Sequence, residues 1–288
     1  MPDVLAILVA TVVAFLLGSA YYFAFADRLA AVSDARDLGD RERLAVGSLR
    51  ATPPHPKTAG RARPARLTMD GMNPRPWALL GLLGRSRPRP VAPRRLPRRL
   101  VQLYAGLVLY GFSMALLVRS ELGVIPWDVL HQGLAGRLGL TMGTVVVAVS
   151  LLLLLAWIPL RERPGLGTVS NAVVIGIVLD ASLALLPPIE SLPVRVVVVL
   201  LGVFLNGVAT AAYIGVHLGP GPRDGLMTGL VRRTGRSVRV VRTSIEVFVV
   251  LVGWLLGGTV GLATVLYAIA IGPLVQMLLP RLSVRMDR

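Results

Sequence analysis

Seven apolar runs in the chain are long enough to cross the roughly 30 Å hydrocarbon core of a bilayer as helices. They cover residues 4–26, 100–118, 141–160, 168–189, 195–217, 243–260 and 261–280, and a long polar stretch, 27–99, separates the first from the rest. Two shorter segments also read as helices, each opening with Pro-x-Asp at Pro126 and at Pro222. Proline suits the first helical position, where its missing N–H is no loss, and Asp128 and Asp224 then fall in the first turn, facing unpaired N–H groups. At 1.5 Å per residue the segment 126–138 is about 20 Å long, too short to span and suited to an interfacial or re-entrant helix. The pattern predicts an all-α polytopic membrane protein.

Composition agrees with that pattern. Residues are 54% hydrophobic and 16% charged, with mean hydropathy +0.69, too apolar for an ordinary soluble domain. There is no cysteine, which excludes disulfides, a thiolate nucleophile and Cys-based metal sites. The net charge is +16. In a soluble protein this would point to nucleic acid; in a membrane protein it points to cytoplasmic loops.

Of the 31 basic residues, 17 lie in 27–99, against six acidic ones, among prolines from Pro53 to Pro97. This block reads as a mostly disordered linker. Arg28 to Arg50 would extend the first span as a juxtamembrane helix, and Trp77 to Gly84 would touch the membrane surface. Arg94, Arg95, Arg98 and Arg99 would draw anionic lipids, at about 1 kcal/mol per basic residue. No nucleic-acid partner is expected. Ala24-Phe25-Ala26 resembles a signal cleavage site, yet Asp3 and the lack of a basic residue ahead of the run favour an uncleaved span. Counted by loop, 28 basic residues fall on one side of the membrane, and only Arg119, Arg137 and Arg195 on the other; without the linker the split is 11 to 3. The N-terminus is expected outside, and the linker and C-terminus in the cytoplasm.

The chain also repeats. At an offset of 96, residues 99–180 match 195–276 at 25 of 82 positions. In the informative stretch, Leu122, Gly123, Pro126, Asp128, Leu130, Gly133 and Leu134 recur as Leu218, Gly219, Pro222, Asp224, Leu226, Gly229 and Leu230. Gly165-Leu166, Thr168-Val169, Ala172 and Ile175-Gly176 recur as Gly261-Leu262, Thr264-Val265, Ala268 and Ile271-Gly272. Each unit holds three spans, an odd number, so the second enters the membrane from the opposite side. The expected architecture is two inverted three-helix repeats, six core spans in all, plus one N-terminal extra span. Its parts are a span at 1–26, the linker at 27–98, repeat 1 at 99–190 and repeat 2 at 195–288.

The Leu-Gly-x-x-Pro-Trp-Asp-Val-Leu-His segment at 122–131, Pro-Gly-Leu-Gly-Thr at 164–168 and Gly-Pro-Gly-Pro-Arg-Asp-Gly-Leu-Met at 219–227 resemble the YczE branch of the YczE/YitT family of bacterial integral membrane proteins. The resemblance covers roughly 98–282. It implies a multi-span protein of the bacterial plasma (inner) membrane and lends no catalytic residues. Residues 1–98 lie beyond the usual start of that family, as a fusion or a miscalled start would, and the soluble C-terminal domain of YitT-like members is missing.

Candidate chemistry sits on few residues. Asp128, His131 and Gln132 share one face of the first short helix, a polar lining or proton-accepting pair, while Leu130, Leu134 and Leu138 form its apolar stripe. Asp128 and Asp224 carry two readings: N-terminal charge partners of short helices, or acids lining a solute or proton path between the repeats. Asp180 and Glu246, ionisable residues inside spans, are the candidates to carry a coupling proton along that path, with Asn171 and Asn206 as uncharged companions. Arg242, one turn before Glu246, is placed to neutralise it. Arg223, in a Gly-Pro-rich loop, is placed to meet an anion. Gly253, Gly257 and Gly261, spaced by four, suggest close helix packing, and Pro273 suggests a kink. No cofactor or metal site is expected, and no enzyme, because no nucleophile–base constellation or nucleotide fingerprint occurs. The function expected is a secondary transporter of a small solute, with a non-transporting membrane scaffold or regulator as the alternative. An oligomer is compatible with either.

Overall fold

The computed structural model describes residues 96–284; the first span, the linker up to residue 95 and the last four residues of the sequence lie outside the described residues, and residues 96–98, expected in the linker, belong to the first helix. Within 96–284 the fold is all helical, in two successive runs of four. The first run is α1 (Leu96–Ser120), α2 (Pro126–Leu138), α3 (Met142–Leu160) and α4 (Leu166–Leu185). The second is α5 (Leu192–Ile214), α6 (Pro222–Thr234), α7 (Val238–Leu255) and α8 (Leu262–Leu282). Both short helices have 13 residues and begin at the proline of the Pro-x-Asp motif. Both end on a glycine with φ of 65°, Gly139 and Gly235, a left-handed conformation that glycine adopts without a Cβ penalty.

Five helices, α1, α3, α4, α5 and α8, are long and apolar enough to cross a membrane. The sixth expected core span differs. The run 243–260 becomes a helix starting at Val238, because the Ser237 hydroxyl accepts the Val240 N–H at 3.4 Å and caps it there. Its other end falls short because Gly257 takes φ of 102° after Leu255. The shift brings Arg239 and Arg242 into the helix beside Glu246, so the 18-residue α7 carries three charged residues and is not among those five.

The central packing joins α1 to α5, with α4 against α1 and α8 against α5. Each short helix packs on the other run: α2 against α7, and α6 against α3. Contacts recur with the runs exchanged at the offset of 96. Gly167 N–H donates to Leu218 O at 2.8 Å, and Ala263 N–H donates to Leu122 O at 2.9 Å. Gly111 leaves room for Val178, as Gly207 does for Leu274; Gly106 faces the Ala209 carbonyl, as Gly202 faces that of Ser113. Gly225 receives the Trp157 indole, and Gly253 receives the backbone of Val129. Thr168 and Thr264 hydroxyls accept the N–H of Gly165 and Gly261 at the starts of α4 and α8.

The glycines at 253 and 261 therefore serve close packing, as their spacing suggests, but Gly257 has no neighbour within reach of a Cβ and serves the turn instead. The helix α8 runs through both Pro273 and Pro280.

Candidate functional site

The site is built where α2 and α6 bring their first turns into the centre. On α2 the buried residues are Pro126, Trp127, Asp128, Val129, His131, Gly133 and Ala135, while Leu138 is 62% exposed. Asp128 and His131 point inward and Leu138 outward, while Leu130 and Leu134 are half-buried and Leu134 packs against the core.

Asp128 is 1% and His131 4% exposed, and their Oδ1 and Nδ1 atoms are 3.0 Å apart. The second carboxylate oxygen of Asp128, Oδ2, is buried with no hydrogen-bond partner. An unmatched oxygen at that depth is unfavourable unless a proton or a ligand meets it.

Arg223, the next residue after Pro222 on α6, enters the same space. One N–H donates to the Tyr110 hydroxyl at 2.9 Å. Its guanidinium carbon lies 5.6 Å from the centre of the Trp127 ring and 5.9 Å from that of Tyr110, within cation–π range. Trp127 and Arg223 are equivalent positions at the offset of 96, so the two runs meet here through matching residues. Asp128 and Asp224 lie within electrostatic reach of Arg223 and oppose the cost of burying its charge. Arg223 and Asp224 remain partly exposed, unlike Asp128.

Asp224 accepts the Tyr213 hydroxyl through Oδ2 at 2.9 Å. A methyl group on Gly221 would lie 3.1 Å from that oxygen, 3.2 Å from the Tyr213 hydroxyl and 3.6 Å from Asn171 Nδ2, so all three converge on this glycine. A second chain of buried hydrogen bonds runs from Tyr267 to Asn206 Oδ1 at 2.9 Å, and from Asn206 Nδ2 to Ser113 at 2.9 Å.

The structure thus gathers Asp128, His131, Arg223 and Asp224. Gln132 turns away: its Oε1 accepts the Thr259 N–H at an exposed position. Asp180 lies at the start of α3, accepting the Thr141 hydroxyl at 2.5 Å and the Gly143 N–H at 2.7 Å. That geometry satisfies orphan donors of a helix start. Glu246 accepts Arg242 Nε at 3.1 Å, the neutralising pair expected from their spacing, and keeps Oε2 buried without a partner. His217, in the loop before α6, has its pKa lowered by burial and by the Arg99 guanidinium.

Sequence reasoning missed Tyr110, Tyr213, Tyr267, Trp127 and Ser113 as site residues. The available signal was the repeat itself, since Trp127 aligns with Arg223, Tyr110 with Asn206 and Tyr267 with Asn171. Among the described residues no three His, Asp or Glu gather as a metal centre would need.

The model of a family of unknown function, DUF6198, matches residues 97–280, which hold all eight helices up to the last turn of α8. The chain belongs to that family. It is similar to an uncharacterised protein of Haemophilus influenzae, 44% identical over 62% of this chain and 81% of that one. It is also similar to the uncharacterised membrane protein YczE of Bacillus subtilis, 33% identical over 62% of this chain and 84% of YczE. The YyaS protein of the same organism is 27% identical over 61% of this chain and 89% of YyaS. No solved structure matches. These relatives and the five apolar helices make this a membrane protein of the YczE type.

Proposed function

We propose that the protein is a secondary transporter of a small solute in the bacterial plasma membrane, not an enzyme. In this reading its two runs of four helices are inverted repeats around one shared site. The N-terminus lies outside and the C-terminus in the cytoplasm, as the distribution of arginines favours. Inverted repeats with a site between them allow alternating access by rocking one half against the other.

The observation that carries the reading is the meeting of Trp127-Asp128 with Arg223-Asp224, equivalent residues from the two runs, at a buried polar centre. The exchanged contacts around them support a twofold relation between the halves. Solute contacts fall to Asp128, His131, Arg223 and Asp224; Glu246, facing the same region electrostatically, is a third acid on the path. Asp180 holds the start of α3.

The test is access to the centre from both sides. With no native cysteine, an Asn171→Cys variant carries one thiol beside Asp224. A transporter exposes it to an impermeant methanethiosulfonate in right-side-out and in inverted vesicles alike. Reaction from one side only, or from neither, contradicts the reading and favours a scaffold.

A further inference from the structure

Away from the centre, arginines gather where the end of α3 meets the end of α6. Arg161 and Arg163 follow the last turn of α3, and Arg232 and Arg233 stand in the last turn of α6. The two ends are tied together: Arg232 bonds the Leu160 carbonyl and pairs with Glu162 at 2.8 Å, while Arg233 Nη1 donates to the Pro159 carbonyl at 3.2 Å. Cations suit the carbonyl end of a helix, which accounts for Arg232 and Arg233. All four arginines are exposed, and Glu162 is the one acid in residues 155–165 and 228–240.

Arg161 and Arg163 have no such use. Among the described residues neither guanidinium has a hydrogen bond or an ion pair. Arg161 also carries a backbone cost: with φ of 56° it takes the left-handed conformation that ends α3, which strains a side chain and not a glycine. At the offset of 96 its counterpart is Gly257, with φ of 102°. The counterparts of Arg163, Arg232 and Arg233 are Thr259, Gly136 and Arg137. The other half therefore forms the equivalent junction with one arginine in place of four. A bias of charge across the membrane favours arginines on this side, but it does not require one at a left-handed position.

An apolar stripe leads to the same spot. Leu151, Leu152, Leu155 and Ile158, at helical spacings of three and four, are between 50% and 71% exposed on α3, a helix long and apolar enough to cross a membrane. The stripe ends one turn before the arginines. Guanidinium donors match a phosphate ester, and the stripe matches an acyl chain. A free phosphate would use the first feature and leave the second without a purpose.

We propose that this junction binds an anionic phospholipid, its phosphate held by Arg161, Arg163 and Arg233 and its acyl chains laid along Leu151, Leu155 and Ile158. The site belongs to the helical core, distinct from the diffuse attraction of the basic linker, and it stands whether or not the protein transports a solute.

In a chain with no cysteine, Ile158→Cys and Leu255→Cys each place one bimane label on an exposed residue near the end of α3 or of α7. The full chain is reconstituted in vesicles of phosphatidylcholine with a minority of phosphatidylglycerol. Quenching by phosphatidylglycerol with a nitroxide on its acyl chain is compared with quenching by phosphatidylcholine carrying the same nitroxide. Phosphatidylglycerol is expected to be preferred about tenfold at 158 and to show near parity at 255. An arginine near the membrane surface contributes about fivefold in affinity for anionic lipid, so Arg161→Gly with Arg163→Gln brings the preference at 158 close to parity. Arg161→Gly relieves the left-handed strain, so this variant is expected to melt no lower than the parent; if it does melt lower, Arg163→Gln alone, with an expected loss of about fivefold, decides. Equal quenching by the two lipids at 158 overturns the proposal. So does the same preference at 158 and 255, or a preference that survives the double substitution, since either assigns the effect to diffuse charge. Loss of the preference on adding inorganic phosphate at constant ionic strength assigns the arginines to a soluble anion and overturns it as well.

Discussion

At the scale of single residues, two aspartates that occupy the same place in a repeated motif have diverged through their neighbours. Asp128 faces a histidine and leaves an oxygen unmatched; Asp224 faces a tyrosine and is partly exposed. Both stand in the first turn of their short helices, as a charge partner of a helix start would, and both also bond tertiary or same-face partners. Asp180 does the opposite, an acid inside a span that serves a neighbouring helix start. Asp180→Ala is expected to destabilise the protein by about 1–3 kcal/mol, since it leaves the Gly143 N–H unmatched. Denaturant titration in mixed micelles would show this. Tyr267→Phe is expected to cost about 1 kcal/mol through the lost bond to Asn206, in the same assay.

At the scale of elements, apolar length and the Pro-x-Asp motif were enough to place six core helices and both short ones from the sequence. The start of α2 at Pro126 and its end at Leu138 coincide with the expected bounds. The start of α7 was not legible, because a serine cap at Ser237 outweighs the polar residues that follow it. Nor was the inward face of α2: hydrophobic periodicity identifies an apolar stripe but does not say whether protein or lipid covers it. Tyrosines inside apolar runs gave no pattern of their own, so the hydroxyls that line the site emerged only with tertiary packing. The fit of α6 on α3 depends on Gly225, where a Cβ would collide with the indole of the fully buried Trp157, whose Nε1 donates to Pro222 O at 3.0 Å. Gly225→Ala is therefore expected to destabilise by about 1–3 kcal/mol and to shift tryptophan emission to the red. An unchanged emission maximum and melting temperature would argue against this packing.

At the scale of the whole molecule, the repeat at offset 96 was visible in the sequence and led to the expectation of a site between the halves lined by Asp128 and Asp224; which other residues face these acids was not legible. Sequence matching pairs like with like, whereas the cluster joins unlike residues at equivalent positions, an indole against a guanidinium and a histidine in one half where the other has methionine. The account stands on the two halves facing opposite sides of the membrane around that cluster. The most direct test uses Leu140 and Arg236, equivalent exposed residues just past the ends of α2 and α6. Single cysteines placed there, in a chain with no other thiol, are probed with an impermeant maleimide in intact and permeabilised spheroplasts. The account predicts that Leu140→Cys reacts in intact spheroplasts and Arg236→Cys only after permeabilisation; reaction of both from the same side would contradict it.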